Sequence, residues 1–386
     1  MKVLIIGGFS RSLINFRGPL IRAVRDAGHV VVACAGESDE RVEETLCQWG
    51  VKFYRIRLTR AGMSPFADLL TFFDLFALMR RVRPDVVLTY TIKPVIWGGL
   101  AARVAGAPVT HSLITGLGYA FMEAGNARQR LASMVATKLY KISLRYSRTV
   151  FFQNPDDLEL FVNRQLVLEA QTRLLNGSGV DLIHYPVTPL PVSPVFLFIG
   201  RLLVDKGIQE YVAAIRIVRS DGKSNAAILV GASDPNPSSV KQSEIQEWSK
   251  EGIVDYRGEL GDVRPVLAEC SVYVLPSYRE GTPRTVLEAM AMGRPIITTD
   301  VPGCRETVKL TAKGMDQRKN SESIMEGENG FLVRPRDAAS VATAMRMFID
   351  NPALISDMGQ RSREIAEEKY DVHKINAVIL EALGLV

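Results

Sequence analysis

Short apolar runs alternate along this chain with stretches whose apolar residues recur every three or four positions. The runs at 2–8, 30–36, 51–57, 85–91, 108–113 and 149–154 read as buried parallel strands; 2–8 and 30–36 are nearly continuous in apolar residues, as burial on both faces requires, whereas 51–57 carries Lys52, Arg55 and Arg57. Between them the helical period predicts helices near 17–28, 39–49, 66–82, 94–105 and 127–147. Such alternation of strand and helix predicts a doubly wound α/β domain. Pro186, Pro189, Pro191 and Pro194 then crowd one short segment, which reads as a linker. Beyond it the pattern restarts, with strand-like runs at 195–200, 226–231, 254–258, 272–276 and 295–299 and a helix from about Gly207. Two Rossmann-like domains are expected, 1–185 and 186–370, with the amphipathic segment 371–386 packing back on the first. Ligands in such sheets lie beyond the carboxyl ends of the strands, so the site is expected in a cleft where the two sheets face each other. The polar stretch 309–328 has little periodicity and reads as a loop.

Composition narrows the function classes. With 386 residues, 47% of them hydrophobic, the chain can bury two cores. Its four cysteines, Cys34, Cys47, Cys270 and Cys304, form no CxxC pair and no metal-ligand spacing, which points to reduced thiols in a cytoplasmic protein and to no bound metal. The start is not a signal peptide, and no run reaches the roughly 20 apolar residues of a membrane span. A soluble or peripheral protein follows as the expectation. A net charge of +5 says little by itself, and no nucleic-acid partner is expected. Its distribution says more. Arg128, Arg130, Lys138, Lys141, Arg145 and Arg148 fall in 126–149 without an acid, interleaved with Leu131, Met134, Val135, Leu139, Ile142 and Leu144. That pattern fits a surface helix with its apolar face in the core. It equally fits contact with an anionic membrane surface or a lipid diphosphate.

The densest chemistry runs from Ser277 to Gly293. Thr282 suits a helix N-cap, Pro283 the first helical position and Gly293 the stop. The helix would start just after a strand, turning the N–H groups of Arg284, Thr285 and Val286 toward an anion such as a phosphate. Glu288 shares a face with Arg284 and Thr285, whereas Glu280 and Gly281 stand in the preceding loop. With Glu288 about 9 Å up the helix axis from the cap, the two carboxylates are too far apart to share a proton. They suit separate tasks, each accepting hydrogen bonds from vicinal hydroxyls. The plainer alternative is a Glu288 satisfied by a neighbouring arginine and a Glu280 that is a solvated loop acid. Arg201 and Lys206 follow the first strand of the second domain, where two cations can neutralise a diphosphate or simply cap a helix.

These residues resemble glycosyltransferase family four, the retaining GT-B enzymes. Glu280 and Glu288 match the family's two-glutamate motif within Glu-Gly-x-Pro-x-x-x-Leu-Glu-Ala-Met-Ala-x-Gly. Gly200-Arg201-Leu202 with Lys206-Gly207, Asn176 to Asp181, Pro295-Ile296-Ile297 and Asn329 to Val333 follow in the family's order, so the likeness covers essentially the whole chain. It implies that Glu280 holds the donor sugar, Glu288 the ribose, and Arg201 and Lys206 the diphosphate of a nucleotide-sugar substrate, a UDP-sugar. No other cofactor and no metal is implied. A nucleobase pocket is implied near Arg257, and Thr282 stands where the family commonly has a larger apolar residue. The 309–328 stretch is longer than the family's usual connection.

In the first domain, Gly7 and Gly8 close the first strand, where a Gly pair permits close approach to a phosphate or serves only a tight turn. Asn15 and Arg17 lie in the segment that follows, which resembles PglA-type bacterial enzymes that extend undecaprenyl-diphosphate-linked sugars. The likeness implies acceptor contact for both, with a helix-start salt bridge as the alternative for Arg17. His111, read as ending a strand just before Thr115-Gly116-Leu117-Gly118, is a candidate for the donor sugar or a satisfied structural residue. The expected activity is retaining transfer of a hexose or N-acetylhexosamine, N-acetylgalactosamine first, to a lipid-linked sugar at the inner membrane face. A sugar-nucleotide 2-epimerase and a non-catalytic sugar-nucleotide-binding protein are the competing readings.

Overall fold

The structure is a computed structural model that describes all residues except 60–63, 118–126, 223–225, 235 and 237, and only the backbone of 127–133. Gly118 and Asn126 therefore lie outside the described residues, as do the side chains of Arg128, Arg130 and Leu131.

Two compact units make up the chain, one of 1–178 with 372–386 and one of 179–371. In the first, the elements run β1 (Lys2–Ile6), α1 (Ser10–Asn15), α2 (Gly18–Asp26), β2 (Val30–Ala35), α3 (Glu40–Gln48), β3 (Lys52–Arg55) and α4 (Pro65–Val82). They continue with β4 (Val86–Tyr90), a π-turn at Pro94–Gly98, α5 (Gly99–Ala105), β5 (Val109–Ile114), α6 (Ala127–Leu144), β6 (Thr149–Phe152), α7 (Pro155–Asn163) and β7 (Thr172–Leu174). The sheet is parallel, ordered β3-β2-β1-β4-β5-β6-β7, so the order reverses between β1 and β4. Alternate strand residues feed opposite faces. Val3 and Ile5 pack with Leu20, Ile21 and Val24 of α2, whereas Leu4 and Ile6 pack with Leu75, Leu78 and Met79 of α4.

The second unit holds β8 (Val195–Ile199), α8 (Ile208–Ser220), β9 (Ala226–Val230), α9 (Gln242–Lys250), β10 (Asp255–Tyr256), α10 (Arg264–Glu269), β11 (Val272–Leu275), α11 (Arg284–Ala291) and β12 (Ile296–Thr299). After these come α12 (Ala312–Lys319), β13 (Ile324–Gly327), β14 (Gly330–Val333), α13 (Ala338–Asp350) and α14 (Ala353–Lys369). Its sheet is ordered β10-β9-β8-β11-β12-β14-β13, reversing between β8 and β11. The last helix, α15 (Val372–Leu383), belongs to the first unit, where Ile375, Ile379, Leu380 and Leu383 join the α2 side of the core.

Two sequence expectations need correction here. The proline segment is no linker, because the chain crosses between units at Ser178/Gly179 rather than at 185/186. Tyr185 is already in the second core, and buried Arg294 gathers the carbonyls of Thr188 (2.9 Å) and Pro189 (3.1 Å). Nor is 309–328 a loop. Thr311 caps α12 by accepting from the N–H of Gly314 (3.1 Å), and β13 pairs antiparallel with β14. A single helix of two turns and an edge strand are too short to leave a legible period.

Candidate active site

The second unit gathers loops at the carboxyl ends of β8, β11 and β12. After β8 the chain makes a tight turn at Val204–Lys206, and Gly207 follows with φ +72°. A Cβ there would stand 2.0 Å from the carbonyl oxygen of Pro276, so glycine is required twice over. That approach brings the two loops together. The N–H of Tyr278 donates to the carbonyl of Asp205 (2.9 Å), and so does the Ser277 hydroxyl (3.2 Å). The third loop joins through the N–H of Glu280, which donates to Pro302 (3.0 Å). Gly303, at φ +83°, leaves room for the Glu280 backbone, whose oxygen a Cβ would meet at 2.3 Å.

These contacts place the Glu280 carboxylate against Lys206. The Lys206 ammonium donates to its Oε1, and the Ser277 hydroxyl donates to the same oxygen at 2.8 Å. Both charged side chains are largely buried. Arg201 is drawn elsewhere. It pairs with Asp234 (3.0 Å) and is half exposed, so the two cations expected to act together have different partners. Arg257 is an exposed arginine held by Asp255 (2.6 Å) and Glu269 (3.4 Å).

Helix α11 is pinned at its start. The hydroxyls of Thr285 and Tyr273 lie 2.6 Å apart, and both reach the carbonyl of Ile199 at the end of β8 (3.4 and 2.9 Å). The helix begins one residue later than the sequence suggests. Pro283, not Thr282, is the N-cap, with ψ 108° holding it outside the helix. The N–H of Val286 is consumed by Pro283 (3.1 Å), so it does not face an anion. Glu288 is 5% exposed, paired with Arg284 one turn back (2.8 Å) and bonded by the Tyr185 hydroxyl (2.9 Å). Burial raises its carboxyl above the ordinary value, while Arg284 and Tyr185 pull the other way. Tyr185 and Ser277 are the participants that sequence reasoning missed. Ser277 stands inside the motif and could have been found as a short donor three residues before Glu280.

In the first unit, Gly7 has a specific neighbour, since a Cβ there would stand 2.3 Å from the Tyr90 hydroxyl oxygen at the end of β4. That hydroxyl lies 2.7 Å from the Ser12 hydroxyl, and the Arg17 guanidinium sits 5.1 Å from the Tyr90 ring centroid. Arg17 is buried and donates to the Ser178 hydroxyl (3.3 Å), which also accepts from Gln153 (3.3 Å). Gly8 abuts Thr91, a β-branched residue at φ +68°. Asn15 ends α1 and is exposed. His111 departs from its expected place. It is the third residue of β5 and fully buried, because the strand runs on through Ile114. Its ring stacks near Phe151 (6.4 Å), and neither nitrogen has a hydrogen-bond partner among the described residues. Burial, with Arg148 nearby, lowers its pKa to about 4, so the ring is neutral.

Comparison with known proteins agrees with this fold. The family model "Glycosyl transferase 4-like domain" matches residues 17–177, and "Glycosyl transferases group 1" matches 193–351. The chain is 28% identical over 341 residues to a Campylobacter jejuni N,N'-diacetylbacillosaminyl-diphospho-undecaprenol alpha-1,3-N-acetylgalactosaminyltransferase, covering 84% of this chain and 88% of that one. It is 22% identical to an Escherichia coli UDP-Gal:alpha-D-GlcNAc-diphosphoundecaprenol alpha-1,3-galactosyltransferase, covering 76% and 73%. Among solved structures, sucrose-phosphate synthase from Thermosynechococcus elongatus superposes with a TM-score of 0.78 at 19% identity, over 99% of this chain and 98% of that one. Anabaena HepE in complex with UDP and glucose gives 0.77 at 18%, over the full length of both. With one model on each unit and both sheets of the GT-B kind, the chain belongs to the group 1, family-four glycosyltransferases.

Proposed function

We propose that this enzyme moves an N-acetylhexosamine or hexose, N-acetylgalactosamine first, from a UDP-sugar to a sugar carried on undecaprenyl diphosphate. The Lys206–Glu280 pair, locked by Ser277, carries the reading. It sets a cation and an acceptor-only carboxylate side by side at the switch point of the second sheet, as a sugar diphosphate requires. Lys206 holds the donor diphosphate, Glu280 accepts from donor-sugar hydroxyls, and Glu288, oriented by Arg284 and Tyr185, accepts from the ribose. In the first unit, Arg17 is the cation for the acceptor's diphosphate. The names of the Campylobacter and Escherichia relatives support the carrier.

The proposed chemistry retains configuration without a protein nucleophile. The bond from the anomeric carbon to the diphosphate breaks, the acceptor oxygen bonds the same face, and its proton passes to the departing phosphate oxygen. Lys206 stabilises the charge that builds there, and no metal is needed. Glu280→Ala is expected to abolish transfer to a lipid-linked acceptor in protein that is still folded at the assay temperature, although loss of the buried partner of Lys206 lowers its Tm. Full activity in that variant refutes the assignment. Product NMR reading the opposite anomer refutes retention, and loss of turnover in a chelator refutes metal independence. We place the enzyme on the inner face of the membrane, where its two substrates meet.

A further inference from the structure

We propose that the outward face of α4, together with that of α6, docks on an anionic lipid bilayer, with Phe66, Leu69 and Phe73 entering the acyl boundary. Helix α4 buries Thr71, Leu75, Leu78 and Val82 against the sheet. Its opposite side is apolar as well. Phe66 is 72%, Leu69 47% and Phe73 52% exposed, at positions i, i+3 and i+7, and exposed Ala77 continues the row. A helix apolar on all sides is ordinarily covered on all sides, so this stripe calls for an apolar cover.

Charge identifies the cover. Helices α4, α5 and α6 form one layer, with α4 and α6 both packed on the π-turn at Pro94–Gly98. The only acids in these helices are Asp68 and Asp74, which Lys93 (2.8 Å) and Arg57 (2.9 Å) already hold. Exposed on the same helices are Arg80, Arg81, Arg103, Lys138 and Lys141, and Arg145 follows directly. Exposed Met134 and Ile142 stand among the α6 cations. A surface of large apolar side chains bordered by cations, with its acids neutralised, is complementary to anionic headgroups over acyl chains. A protein partner would have to supply acids around an apolar centre, a less general match than phosphatidylglycerol offers.

This inference rests on the reading that the acceptor is lipid-carried, but its test needs neither donor nor acceptor and fails separately. The full chain is sedimented with phosphatidylcholine vesicles with and without phosphatidylglycerol. Binding is expected to be at least about tenfold tighter with the anionic lipid and to weaken with salt. Phe66→Ser/Leu69→Ser/Phe73→Ser should lose about tenfold or more of that binding with an unchanged melting profile. Lys138→Glu/Lys141→Glu/Arg145→Glu should lose the anionic preference. Indole emission in Phe73→Trp should shift to the blue on adding vesicles. Unchanged binding in the triple serine variant overturns the proposal. So does a lipid-free dimer that this variant dissolves while its vesicle binding persists, which would make the face a contact between copies of the chain.

Discussion

Replacing Tyr185 by phenylalanine removes a single oxygen, the hydroxyl that donates to Glu288 at 2.9 Å. The ring keeps its volume, so the loss is one hydrogen bond to a buried carboxylate, about 1.5–3 kcal/mol, with no cavity term. Losing this donor to the charged form raises the Glu288 carboxyl further above its ordinary value. The hydroxyl stabilises the charged form, so its absence is felt only where Glu288 is ionised. In the parent, burial already holds this carboxyl above its unfolded value. Between the two values the folded state binds more protons than the unfolded one, and stability falls as pH rises. The variant extends that window upward. Its deficit should therefore be largest near neutral pH and close as the pH falls towards the unfolded carboxyl value. For a unit of this size, where 1 kcal/mol moves Tm by about 2–4 °C, the neutral deficit is roughly 3–12 °C. Calorimetry of the transition that UDP raises, at about pH 7 and about pH 5, measures it. A deficit equal at both pH values would show that the hydroxyl acts through packing and refute the reasoning, as would no deficit at all.

Lys206→Met should lower kcat by about 10²–10³-fold, because it deletes the cation at the leaving diphosphate; steady-state kinetics with donor saturating reads it. Gly207→Ala should cost about 1–3 kcal/mol in backbone strain alone, and more from the Pro276 oxygen 2.0 Å from the new Cβ, seen as a lower Tm and weaker UDP binding together. His111 stays neutral in the folded chain down to about 4, whereas the unfolded ring takes a proton near 6.5. Stability of the first unit should thus fall as the pH drops from about 6.5 to about 4, and His111→Leu should flatten that fall in acid unfolding while leaving turnover within about twofold.

Much of the fold is legible in the sequence because parallel strands buried on both faces leave continuous apolar runs, and β1, β2, β4, β8 and β11 each sit inside an expected run. Among the elements that escape, several lack a period. Helix α1 is a single short turn-and-a-half, β7 has three residues, and β13 is an edge strand with glycine at its end. The boundary was hidden for another reason. Prolines mark where a chain cannot form regular ladders, not where it is free, and here Arg294 ties the segment down through the carbonyls of Thr188 and of Pro189 itself. His111 shows the same limit from the opposite side. An apolar run does not announce its last residue, and three more strand positions separate a buried ring from an exposed one.

The candidate site divides along a similar line. Its charged members, Lys206, Glu280 and Glu288, belong to a spaced motif and are visible in one dimension. Their geometry depends on bonds that carry no sequence signature, because the partners are main-chain atoms: Tyr278 N–H to Asp205, Glu280 N–H to Pro302. Any residue can supply the carbonyls and any but proline the N–H groups, so the tightest constraints fall where a side chain must be absent, at Gly207 and Gly303. The excursion 309–328 attaches to this same scaffold. Arg318 of α12 bonds Asp300 (3.0 Å), which also pairs with Arg305 (2.8 Å), at the root of the loop whose Pro302 holds the Glu280 backbone. Exposed ion pairs of this kind contribute up to about 1 kcal/mol, so Arg318 can tune the Glu280 loop but cannot build it. Its shape is set by the backbone bonds and by the missing Cβ atoms.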